Sequence, residues 1–156
     1  MNCVVTDISR VDIRRAAMDF LAFREHSVQE LVTKLSRRFR DSELSIDLLT
    51  ESIASLTDDN LQSDRRFAES FVRSRIQKRH GPLRITNDLT SRGVSATIVS
   101  EVLGEANVDW RVVLEELSDR KYGQQKPADV KEKAKRIRFF QYRGFSYEYI
   151  RQILAE

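Results

Sequence analysis

The sequence predicts an all-α fold: three tandem three-helix repeats forming an elongated, curved array. Three observations predict it. The stretch from Arg92 to Leu103 is written again from Arg143 to Leu154, 51 positions on from 92 to 143, with Arg, Gly, Ser and the final Leu identical. Serine or aspartate recurs just ahead of apolar residues spaced three and four apart, the signature of capped amphipathic helices. With only 5 Gly and 2 Pro in 156 residues, and no sustained period-two alternation, there is little material for strands and hairpins.

The first repeat is expected over residues 1–59. Ser9 caps a helix running to about Arg24, with Ile13, Ala16, Ala17, Phe20, Leu21 and Phe23 on its apolar face. Ser27 and Glu30 form a capping box, in which hydroxyl and carboxylate satisfy backbone donors at the start of the next helix. Leu31 and Leu35 then share one face. Ser45 begins a third helix carrying Leu48, Leu49, Ile53 and Leu56.

The second repeat is expected over 60–107. It opens at Ser63-Asp64, where the acid suits the positive end of a helix dipole, and Phe67, Ala68, Phe71 and Val72 form the buried stripe. Gly81-Pro82 breaks this helix and starts a short one, Pro82 standing in the first turn where a missing N–H is harmless. Ile85 and Leu89 repeat the spacing of Leu31 and Leu35. Gly93 suits a left-handed helix end, and Ser95 caps a helix with Ile98, Val99, Val102 and Leu103 inward.

The third repeat is expected over 108–156. Asp109-Trp110 opens a helix with Val113 and Leu117; residues 123–127 form an irregular connection; a lysine-rich helix runs from Ala128 to Tyr142; Gly144 ends it and Ser146 caps the last helix. Stacked repeats share apolar faces, so neither the first nor the third need be stable alone.

Composition narrows the function. No run of about eighteen apolar residues is present, so nothing is expected to span a membrane. The first residues lack the long apolar stretch of a secretory signal, and Cys3, the single cysteine, fits a reducing cytoplasm. Net charge is +3, unevenly spread: residues 41–69 carry eight acids and two bases, 73–92 six bases and one acid, and 120–156 ten bases and four acids. Such a chain can meet a partner of mixed charge as well as a polyanion.

Catalytic chemistry finds no home. His26 and His80 are far from metal-ligand spacing and read as surface histidines; Cys3 lacks a local base; Arg92-Gly-Val-Ser is a terminator followed by a cap, not a phosphate loop. No enzyme, cofactor or metal is expected. The segment from Leu89 to Leu103 could also describe a DNA-reading helix-turn-helix. Its outward positions, Ala96, Thr97, Ser100 and Glu101, offer poor major-groove chemistry, so the turn reads as a joint, with Arg92 and Arg143 left as contact candidates.

What remains is a basic surface. Arg73, Arg75, Lys78 and Arg79 end one helix, Arg84 and Arg92 follow, and Lys131, Lys133, Lys135, Arg136 and Arg138 crowd another. These groups could track phosphates or pair with acids of a protein partner; the dipole alone could explain Arg75 to Arg79. Arg24, Arg65 and Arg66 are charges that helix capping leaves unexplained.

At these residues the chain resembles the RecX family of bacterial recombination regulators. The matching segments are Arg24-Glu-His-Ser27 with Glu30-Leu31 and Lys34-Leu35, then Ser63-Asp-Arg-Arg-Phe-Ala-Glu-Ser-Phe-Val-Arg-Ser-Arg75. They continue with Gly81-Pro82, Ile85 and Leu89; Arg92-Gly-Val94; and Arg138-Phe139 with Arg143-Gly-Phe-Ser146. The first repeat departs from the pattern, with Arg37-Arg-Phe-Arg-Asp41 in place of an Arg-Gly or Lys-Gly turn. The resemblance implies a cytoplasmic monomer that binds the RecA recombinase filament and inhibits its ATPase and strand exchange, with single- or double-stranded DNA as a further partner. The partner-binding candidates are Arg24, Arg65, Arg66, Arg73, Arg75, Arg84, Arg92, Lys133, Lys135 and Arg136. Two alternatives stand beside it: a general DNA-binding protein that uses its basic helices without RecA, and a structural adaptor for another protein.

Overall fold

The computed structural model describes residues 7–155. Among these, every regular element is an α-helix: α1 (Arg10–Phe23), α2 (Val28–Arg38), α3 (Ile46–Asp58), α4 (Asp64–Gln77), α5 (Pro82–Ser91), α6 (Ala96–Ala106), α7 (Trp110–Tyr122), α8 (Val130–Tyr142) and α9 (Tyr147–Leu154). The all-α expectation holds, while the reading of Cys3 falls outside the described residues.

Capping sets the starts of these helices. Ser9 and Ser27 each complete a reciprocal box, with Asp12 and Glu30 respectively. The Ser45, Ser95, Asp109 and Asp129 side chains accept from first-turn N–H groups, and Ser63 accepts from the Arg66 N–H at 3.2 Å. Ser146 holds the cap position of α9, but its hydroxyl makes no capping bond. Helix ends follow a second rule. Gly93 and Gly144 take positive φ as expected (81° and 100°), and Asn60, Arg79 and Asn107 do the same without being glycine. The break after α4 is therefore set at Arg79, ahead of Gly81-Pro82. There the His80 N–H turns back to the Arg75 carbonyl at 3.0 Å.

The chain divides into two compact units, one comprising the described residues up to Ser70 with Arg92–Val94, the other Phe71–Ser91 with the residues from Ser95 onward. In the first, α1 packs on α2 and α3 around Ile13, Ala16, Ala17, Leu31, Leu35, Leu49, Ile53 and Leu56. Its α2–α3 connection turns without glycine: the Phe39 N–H bonds to Leu35 and the Ser42 N–H to Phe39, both at 3.0 Å. In the second, α9 packs on α7 and α8, and α5 on α6. Its core joins Val113, Leu114, Leu117, Phe140, Phe145 and Ile150, with Ile76 of α4 packed against it. Full burial of Phe140 and Phe145 contributes roughly 2–3 kcal/mol each. Phe23, expected on the apolar face of α1, is instead 90% exposed. It is the last residue of the helix, where the face runs out.

Candidate partner-binding surface

Four of the expected site arginines lie in the first unit, and each meets a carboxylate there. Glu30 stands in the first turn of α2, bound to the Ser27 N–H at 3.3 Å. Arg24 grips it with two parallel bonds of 3.0 Å, a charge-assisted fork, and Arg92 approaches its Oε2 at 3.9 Å. The paired guanidinium holds the Glu30 carboxyl below its ordinary pKa against the opposing effect of burial. Arg65 pairs with Glu69 one turn on, at 3.2 Å. Arg66 bonds Glu25 at 3.0 Å and both the side chain and the carbonyl of Asn60, clamping the left-handed end of α3.

The second unit treats its cations differently. Arg75 lies over the Phe71 ring at 4.5 Å, and Arg84 lies over Tyr142 at 4.9 Å, 3.8 Å from Asp88. Arg79 pairs with Glu116 at 3.3 Å. Arg143 donates to the carbonyls of Lys78 and Arg79, placing a cation on the negative end of α4. His80 sits among these groups. Burial, then Arg143, Arg84 and Arg75, lower its pKa to about 4, so it is neutral at physiological pH. Arg73, Lys133 and Lys135 are exposed and make no ion pair among the described residues.

Two expectations need correcting. Arg136 does not face solvent: it is 5% exposed, bonded to Glu132 at 2.7 Å and to the Gln125 carbonyl at 2.8 Å, with its guanidinium over Tyr122 at 4.3 Å. It ties the 123–129 connection to α8. The histidines are not both surface residues either. His26 is 1% exposed, with Nδ1 2.9 Å from the Arg24 carbonyl and Nε2 3.0 Å from the Lys34 ammonium. A lysine can only donate, so Nδ1 carries the proton and the ring is neutral. Tyr142, 73% exposed beside Arg84, was absent from the expected set; its place at the end of a lysine-rich helix gave no sign of an arginine stacked on it.

The repeated Arg-Gly turns prove to be matching joints. The Arg92 carbonyl accepts the Ser27 hydroxyl at 2.8 Å, and the Arg143 carbonyl accepts the Gly81 N–H at 2.7 Å. In each case a turn receives the start of a helix about 62–65 residues earlier in the chain (27 to 92, 81 to 143).

Family comparisons fit this arrangement. The family model for the second three-helix domain of RecX matches residues 63–103, and that for the third matches 113–154. The regulatory protein RecX of Pseudomonas entomophila (strain L48) is 40% identical over 145 residues, covering 93% of this chain and 91% of the relative. The chain belongs to the RecX family. RecX of Halorhodospira halophila (strain DSM 244 / SL1) is 38% identical, over 92% of this chain and 86% of its own. The crystal structure of RecX from Lactobacillus salivarius superposes with a TM-score of 0.71 at 24% identity, covering 94% of each chain. A second RecX crystal structure gives 0.72 at 21% identity, covering 94% of this chain and 75% of that one. The Pseudomonas and Halorhodospira relatives are both regulatory proteins. Among the described residues no helix is long and apolar enough to cross a membrane.

Proposed function

We propose that this protein binds the RecA recombinase filament and inhibits its ATPase and strand-exchange activities, modulating recombination and DNA repair. The observation that carries this reading is family membership: 40% identity to a RecX regulatory protein across 93% of the chain. The expected three repeats, 1–59, 60–107 and 108–156, are part of the proposal. So is a contact surface made by Arg24, Arg65, Arg66, Arg73, Arg75, Arg84, Arg92, Lys133 and Lys135, with Arg136 left out because it is buried.

Electrostatics supports such a surface. Exposed ion pairs contribute only about 0–1 kcal/mol, so the Arg65–Glu69 pair can trade its carboxylate for a partner's at small cost. The unpaired Arg73, Lys133 and Lys135 would accelerate encounter with an acidic surface. Clamping neighbouring protomers would restrain the motion coupled to nucleotide turnover. Titration into a DNA-stimulated RecA ATPase assay tests this. Inhibition that saturates is expected; hydrolysis unchanged at several-fold molar excess overturns the proposal. Reversing Arg65 or Arg73 to Glu is expected to raise the concentration needed, with the helical circular dichroism spectrum intact.

A further inference from the structure

The corner of the second unit where α4, α5 and the end of α8 meet concentrates positive charge beyond what its acids answer. Arg75, Arg84 and Arg143 all act on His80, and the acids beside these groups are Asp88, on Arg84, and Glu116, on Arg79. Four buried nitrogens here, Arg75 Nε, Arg79 Nε, His80 Nδ1 and Arg143 Nε, have no hydrogen-bond partner. Buried donors are normally satisfied, and like charges so close together cost free energy unless an anion screens them. Dipole stabilisation explains Arg143, which binds the carbonyls of Lys78 and Arg79 just past the end of α4. It also favours Arg75, in the last turn of α4, but it does not explain Arg84. Both of those rest on aromatic rings, and Tyr142 is 73% exposed with Arg84 against it.

We infer that this corner is a seat for single-stranded nucleic acid: Arg75 and Arg84 hold a phosphodiester oxyanion, and the exposed ring of Tyr142 stacks on the adjoining base. An acidic protein segment would use the guanidinia and leave the open tyrosine face without purpose. A base uses both, because a cationic groove beside an aromatic platform is how single strands are held without sequence reading. Double-stranded DNA offers phosphates but no free base face. The inference shares Arg75 and Arg84 with the surface proposed above, and its test omits RecA, so the two readings fail separately.

The test is fluorescence anisotropy of the full chain with a labelled thymidine oligonucleotide and an abasic oligonucleotide of equal length. Wild type should bind the thymidine strand more tightly, with an affinity that falls with salt. Tyr142→Ala should weaken thymidine binding about tenfold and leave abasic binding within about twofold, while Tyr142→Phe keeps both. Arg84→Glu should weaken both strands about tenfold or more and lower the salt slope by about 0.7 for each phosphate no longer neutralised. Arg37→Glu, an equal charge change on α2, should alter binding less than twofold. Tyr142 is exposed, so its variants test the seat even if Arg84→Glu perturbs folding. Three results would overturn the inference: no binding by wild type at about 50 mM salt, equal affinity of Tyr142→Ala and wild type for the thymidine strand, or equal losses from Arg37→Glu and Arg84→Glu.

Discussion

Both compact units seat the start of a helix on an Arg-Gly turn, and they do so with different atoms. In the first, side chains make the joint: the Ser27 hydroxyl reaches the Arg92 carbonyl, Asp64 accepts the Val28 N–H at 2.9 Å, and Gln62 bridges Asp64 and the His26 carbonyl. In the second, backbone meets backbone: the Gly81 N–H binds the Arg143 carbonyl at 2.7 Å and the Leu83 N–H binds the Gly144 carbonyl at 3.1 Å. Charge follows the same division. Arginines of the first unit face Glu25, Glu30 and Glu69, whereas Arg75, Arg84 and Arg143 of the second crowd a neutral histidine. A joint made of side chains can be retuned by single substitutions. One made of main chain admits almost no change, and so leaves its arginine side chains available for other work.

The largest expected effect comes from adding one methyl group at each joint. A Cβ at Gly81 would stand 2.3 Å from the Gly144 carbonyl oxygen and 2.8 Å from the Phe145 nitrogen, both main-chain atoms. Gly81→Ala should therefore cost about 3 kcal/mol or more, through overpacking that nothing can relieve locally. At Gly93 the obstruction is Gln29: its amide end, 2.3 Å away, can rotate aside, but its Cβ at 2.8 Å can move only with the α2 backbone, and positive φ adds to the cost. Gly93→Ala should cost about 1–2 kcal/mol for its φ, plus an overpacking cost smaller than that at Gly81 because only one of its close contacts is fixed. Chemical denaturation of the two variants checks the pair; equal losses would remove the distinction between the joints.

This distinction was half legible in the sequence. Ser9, Ser27, Ser45 and Asp109 announce their helices because a cap is a local device, its donor and acceptor within three residues. The leucine stripes at Leu31/Leu35 and Ile85/Leu89 are legible for the same reason, and all four are fully buried. Gly81 read as a helix breaker, since its real constraint, the carbonyl of Gly144, lies 63 positions away (81 to 144). His26 read as a surface residue because its ring nitrogens are satisfied by Arg24 and Lys34 in the folded chain alone. Arg136 was hidden among lysines, although Glu132 four residues before it was a local hint of pairing. Exposure of Arg73, Lys133 and Lys135 followed from their helical phase, but which of the candidate cations find an acid is a tertiary fact.

A smaller effect separates the side-chain joint further. Ser27 is fully buried, and its hydroxyl both caps α2, accepting the Glu30 N–H at 3.1 Å, and donates to Arg92. Ser27→Ala should cost about 1–2 kcal/mol, the loss of a cap together with one buried acceptor left unpaired. Ser146, the cap-position serine of α9 with no capping bond, is the internal control. Ser146→Ala should change stability by less than about 0.5 kcal/mol. Similar losses at the two positions would mean that cap geometry, not the cross-chain bond, governs both.

The smallest expected effect lies in the pH dependence, where the two units each contribute one histidine. His80 falls from an ordinary 6.5 to about 4, and His26 is lowered too, first by burial and then by Arg24 and Lys34. Below about 6.5 the unfolded chain takes up protons that the folded chain refuses. Stability is therefore complete above that value and falls as the pH drops toward 4, flattening below it for His80. The carboxylates with lowered pKa, Asp12, Glu30 and Glu132, start from 3.8 to 4.5, so their contribution is lost at still lower pH and leaves the upper window to the histidines. His80 is only partly buried, and solvent screening keeps its slope below the limit of about 1.4 kcal/mol per pH unit. His80→Gln should flatten the stability profile between pH 6.5 and 4.5 more than His26→Gln, because three guanidinia oppose its protonation where His26 faces one guanidinium and one ammonium. The slope is the quantity to compare, since His26→Gln also disturbs a filled interior site. A larger flattening from His26→Gln would mean that the cations around His80 are better neutralised than Asp88 and Glu116 allow, and the contrast between the units would then rest on their backbone alone.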